Sequence, residues 1–85
     1  MLYNYFGRRK TTNSYVPIDL GMVARTIIIS NSVDNTEDIQ ISFDGTNLAG
    51  EIAVGEPLTL AGIELTNLYI KSASGGMEYR LWAWA

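Results

Sequence analysis

Apolar side chains recur at every second position in short runs along this chain, and each run is closed by Gly, Asn, Asp or Pro at spacings of roughly eight to twelve residues. A period of two is the pleat of a β-strand, whereas a surface helix needs apolar positions three and four residues apart. No stretch of three helical turns offers that spacing, so the chain is expected to be all-β. Arg25 to Ser30 is β-branched, with Ile27 and Ile29 on one face and Thr26 and Ile28 on the other, which predicts a strand buried on both sides. Asn31 to Asp38 reads as a polar loop anchored by Val33. Ile39, Ile41 and Phe43 then alternate with Gln40 and Ser42, predicting a strand with one wet face.

Turn chemistry divides the second half of the chain. Asp44-Gly45 opens a loop that runs to Gly50, and Ile52 and Val54 make a short strand ending at Gly55. Pro57 holds Glu56 extended before Leu58 and Leu60 resume the alternation, and Ala61-Gly62 is read as another turn. Beyond Ile63 and Leu65, Leu68, Ile70 and Ser72 oppose Tyr69 and Lys71, and Ser74-Gly75-Gly76 joins that strand to a last one, Met77 to Trp84. The expected architecture is a small β-sandwich or jelly-roll-like domain of seven or eight short antiparallel strands.

Eighty-five residues make one domain, and a chain of this size removes only about 63% of its open-chain surface from water. No cysteine is present to staple so small a core and no histidine to bind zinc, so partner subunits are the expected source of further stability. The same two absences remove the commonest general base and the thiol nucleophile. Ser14, Ser30, Ser32 and Ser42 have no histidine to activate them, and Asp44 with Glu51 is only one of many carboxylate pairs that nine acids offer. Asp34, Glu37 and Asp38 carry oxygen ligands but match no calcium-loop spacing, and Gly75-Gly76 lacks the pattern of a phosphate cradle. No enzyme activity, cofactor or metal is expected. No apolar run approaches the roughly 20 residues of a membrane-spanning helix.

Charge and aromatic rings are distributed unevenly. Residues 1–17 hold Arg8, Arg9 and Lys10 with no acid, whereas residues 18–85 hold nine acids against Arg25, Lys71 and Arg80, a net −6. A basic, aromatic segment, residues 1–16, is expected to extend as an arm from a domain spanning 17–85, with the boundary near Tyr15-Val16-Pro17. Tyr3, Tyr5, Phe6, Arg8, Arg9, Lys10 and Tyr15 of that arm are candidate interface residues. Rings among cations are able to stack bases, but three cations beside an acidic body favour a protein surface over nucleic acid. In the last strand, Met77, Tyr79, Leu81 and Ala83 alternate with Glu78, Arg80, Trp82 and Trp84. With Tyr79 and Leu81 in the core, two neighbouring indoles face outward and require a cover, supplied either by the chain's own arm or loops or by a partner. Arg80, Trp82 and Trp84 complete the expected interface, in which each buried aromatic contributes about 2–3 kcal/mol.

The segments Ile41-Ser42-Phe43-Asp44-Gly45, Gly55-Glu56-Pro57-Leu58-Thr59-Leu60, Leu68-Tyr69-Ile70-Lys71-Ser72 and Tyr79-Arg80-Leu81-Trp82-Ala83-Trp84, in that order, resemble small structural proteins of tailed-bacteriophage virions, particularly the decoration or cement proteins of capsids. The likeness covers residues 25–85 and leaves the arm unmatched. It implies a homotrimer on the capsid surface, assembled in the host cytoplasm, that contacts the major capsid protein and stabilises the shell by bridging capsomers. Related virion modules at the neck, tail or fibre attachment, and a glycan-binding module stacking sugars on Trp82 or Trp84, are the alternatives.

Overall fold

The computed structural model describes residues 2–85. These form six strands, β1 (Tyr3–Lys10), β2 (Val16–Asn31), β3 (Ile39–Ser42), β4 (Gly50–Ile52), β5 (Pro57–Lys71) and β6 (Glu78–Trp84), and no helix. All pair antiparallel in one sheet of order β1-β6-β2-β5-β3-β4.

The two long strands decide the shape. Sixteen residues of straight strand span about 50 Å, yet the longest dimension of the molecule is 34 Å, so β2 bends. Its pairing with β5 slips between Asp19 and Ala24 and again between Ala24 and Thr26, where Leu65 gives way to Ala61 as partner. Gly21 and Gly62 both sit there with φ of +71°. A left-handed residue in each of two paired strands is the mark of opposed bulges, which kink a ribbon and increase its twist. On one side of the bend the start of β2 pairs with the end of β5, which also carries β3 and β4. On the other side the end of β2 pairs with the start of β5 and carries β6 and β1. Both halves turn one face to a single core: Ile18 and Leu20, Ile27 and Ile29, Ile39 and Ile41, Leu68 and Ile70, and Tyr79, Leu81 and Ala83 are buried together.

Several expectations are corrected. Ala61-Gly62 does not turn the chain but lies inside β5, which together with the continuous β2 leaves six strands instead of seven or eight. Phe43 is exposed, because β3 ends at Ser42 and the chain then enters the Asp44 turn. Val33 is no anchor, being 76% exposed; the loop is held instead by buried Asn31. Thr26 and Ile28 are half-buried, so the Arg25–Ser30 strand has one fully buried face only. The segment expected as a separate arm is part of the sheet: β1 is its edge strand, and buried Thr11 pins the crossover from β1 to β2. The Thr11 N–H donates to the Met77 carbonyl (2.9 Å), its carbonyl accepts from Gly76 N–H (2.8 Å), and its hydroxyl shares a 2.6 Å hydrogen bond with the Ser72 hydroxyl.

Candidate functional site

β6 lies between β1 and the second half of β2, and that order builds the site. Tyr79, Leu81 and Ala83 point into the core, so the period of two sends Arg80, Trp82 and Trp84 outward. Register then sets β1 residues beside the indoles: Tyr3 opposite Trp84 and Tyr5 opposite Trp82. On the other flank β2 places Thr26 beside Trp84, Ile28 beside Trp82 and Ser30 beside Arg80. Directly opposed residues share a face, so these side chains form one outward platform.

The rings touch one another. Tyr5 and Trp82 have centroids 5.1 Å apart with planes tilted by 35°, a favourable offset arrangement. The cover is partial. Trp82, Trp84 and Ile28 are half-buried, while Tyr3 and Tyr5 remain 62% and 49% exposed because no strand lies beyond β1.

Next to the platform the backbone of β1 is irregular. Pairing with β6 is interrupted between Phe6 and Arg9, and Arg8 adopts a φ of +52°, an uncommon conformation for a residue with a side chain. This bulge borders an open groove of about 580 Å³ whose lining includes Arg8, Arg80, Ser32, Asp34 and Glu78. Arg9 lies 5.1 Å over the ring of Phe6, and Phe6 itself packs partly buried against the core. Burial pushes the Tyr79 phenol above its usual range, and the positive charge of Arg9 opposes the shift. Among the described residues Arg25 and Glu64 make the single ion pair, at 3.9 Å and largely exposed; Arg8, Arg9, Lys10 and Arg80 have no acid within that reach.

Of the residues singled out from sequence, Tyr3, Tyr5, Trp82, Trp84, Arg80 and Arg8 are brought together on this face or at its border. Arg9 and Lys10 continue β1 past the bulge, opposite Tyr79 and Glu78. Phe6 faces inward. Tyr15 is elsewhere, with the Lys71 ammonium 4.8 Å over its ring. No protein-family model, curated protein or solved structure matches this chain. The site is therefore read from its own geometry.

The acidic loop does not gather ligands. Among the described residues no three acidic side chains converge as a metal site would require. Glu37 instead accepts hydrogen bonds from the Ser74 N–H (3.0 Å) and hydroxyl (2.6 Å), which hold its carboxyl below the ordinary range. Asp44 is consumed by its own turn: one oxygen accepts from the N–H groups of Thr46 and Asn47 (both 2.8 Å) and from the Ser42 hydroxyl (2.9 Å), the other from the Asn47 amide (2.7 Å). These donors hold it well below the usual carboxylate range. Sequence reasoning missed Ile28 as a platform residue and missed the amide pair that carries the loop under the groove. Buried Asn31 donates to the carbonyls of Ile52 and Glu37 and accepts from the Asn35 amide, and Asn35 ties back to both backbone groups of Glu78. An asparagine at the end of an apolar run carries no signal that separates a buried clamp from an exposed loop residue.

Proposed function

We propose that this protein is a non-catalytic virion structural protein that binds the outside of a bacteriophage capsid as an oligomer, a trimer by expectation, and stabilises the shell by bridging capsomers. The bent sheet is read in this proposal as a small β-sandwich whose outer aromatic platform is the docking face. The observation that carries the reading is the convergence of Tyr3, Tyr5, Trp82 and Trp84 from opposite ends of the chain onto one half-open outward surface. Aromatic anchors with a neighbouring arginine are the usual energetic centre of a protein interface. Arg8, Arg9 and Lys10 beside them, which pair with no acid among the described residues, favour an acidic or mixed partner surface. Binding across a junction between subunits stabilises the assembled shell by mass action, because separated capsomers lack the composite surface.

Deleting residues 1–12 is a poor test of this reading, since it removes an edge strand and uncovers Trp82. Substitution on the platform is cleaner. Trp82→Ser with Trp84→Ser is expected to reduce occupancy on purified shells by more than tenfold while the protein stays folded; undiminished occupancy sinks the proposal. A second reading, glycan binding, is favoured by the groove beside the platform, where Arg8 and Arg80 are balanced by Asp34 and Glu78 as a neutral polyhydroxylated ligand requires. Quenching of tryptophan fluorescence by soluble glycans would select it.

A further inference from the structure

We infer that copies of this chain associate head to tail through the two outermost strands of the sheet, the basic edge β1 of one copy against the acidic edge β4 of the next. The inference rests on the oligomeric part of the proposed function. Among the described residues the first and last strands of the order β1-β6-β2-β5-β3-β4 pair with a strand on one side only, as do the start of β2 and the first half of β5, and such edges template further pairing unless they are guarded. On β1 the guard is confined to one end. The bulge at Gly7–Arg8 and the three cations occupy its second half, whereas Tyr3 to Phe6 pair with β6 in unbroken register and carry no charge. That regular stretch of four residues matches the three residues of β4.

Charge selects which edges meet. From Thr26 to Ile70 the sequence has no lysine or arginine and seven acids, Asp34, Glu37, Asp38, Asp44, Glu51, Glu56 and Glu64. β4 lies within this stretch, with exposed Glu51 on it and exposed Glu56 after it. Two β1 edges brought together would place six cations along one seam, and two β4 edges would oppose acid to acid. A β1 edge against a β4 edge pairs opposite signs, and Arg8, Arg9 and Lys10 have no acid within ion-pair distance in their own chain among the described residues. The added strand also covers Tyr3 and Tyr5, whose exposure comes from their place at the rim. An interface between unlike edges is heterologous, so repetition closes a ring when the rotation between copies allows it.

Light scattering on the intact protein tests the pairing. The expected mass is a multiple of 9.4 kDa that falls toward one chain as salt is raised, because the attraction is screened. Reversing one edge, by Arg8→Glu, Arg9→Glu and Lys10→Glu together or by Glu51→Lys with Glu56→Lys, is expected to give single chains. Combining both reversals restores opposite edges within one chain and is expected to restore the assembly. Wild-type protein that is a single chain at low salt, single-edge variants that keep the wild-type mass, or a mass insensitive to salt would each overturn the inference. The salt series uses unaltered protein and so does not depend on the variants folding. Single chains that still bind shells would overturn the edge pairing and leave the docking proposal standing; assembled protein that fails to bind shells would do the reverse.

Discussion

Asn31 ends the most β-branched run of the chain and is 2% exposed, yet its side chain is fully used, giving two hydrogen bonds and accepting a third. Buried amides are tolerated only with such partners, and removing one strands the groups left behind. Asn31→Ala is expected to destabilise the fold by about 1–3 kcal/mol, measured by urea denaturation. Acid acts on other residues. Asp44 and Glu37 both have folded-state pKa values below their unfolded ones, so their contribution is complete above the ordinary carboxylate value of about 4 and is lost as pH falls toward the folded values. Amide resonances of Thr46, Asn47 and Ser74 are expected to shift in an NMR titration as pH falls below ~4 toward the folded-state values, before the core strands respond. The Asp44 turn was legible because Asp-Gly has local chemistry. The Asn31 clamp was not, because its partners lie in other elements and no local pattern announces them.

At the scale of elements, the bend in the β2–β5 ribbon organises everything else. Gly62 has open space where a Cβ would stand, whereas a Cβ on Gly21 would come within 2.9 Å of the Asn4 amide, which donates to the Leu20 carbonyl at 2.8 Å. Both have a left-handed φ. Gly62→Ala is therefore expected to cost about 1–2 kcal/mol from backbone strain alone, and Gly21→Ala more, because Asn4 must move and β1 loosens with it; thermal or urea melts of the two variants check the order. Alternation alone correctly assigned the inward face of β6, since Tyr79, Leu81 and Ala83 share one parity. It misread Ala61-Gly62, because a glycine between two alternating runs looks the same in a turn as in a bulge. Only the pairing of Thr26 with Ala61 and Ala24 with Leu65 tells them apart. The partnership of β1 with β6 was equally hidden, since strand register across 70 residues leaves no trace in either segment.

For the whole molecule, the folded surface of 4838 Å² is close to the roughly 5,000 Å² expected of a chain this size, so the stability of the single chain depends on how well one small core is filled. Leu81→Ala removes a fully buried side chain from its centre and is expected to cost about 2–5 kcal/mol, enough to unfold much of the population at 37 °C in a circular-dichroism melt. Tyr5→Ser sits at the rim and is expected to shift that melt far less, while weakening any contact made by the platform. The two halves of the platform come from the two ends of the chain. Tyr3 stands opposite Trp84, and the Ala85 N–H donates to the Leu2 carbonyl at 3.1 Å. Ends this close can be joined by a short linker and the chain reopened between Asn13 and Ser14, both exposed. In such a circular permutant β6 and β1 become a simple hairpin, and the crossover that carries the chain from β1 past β6 to β2 is cut.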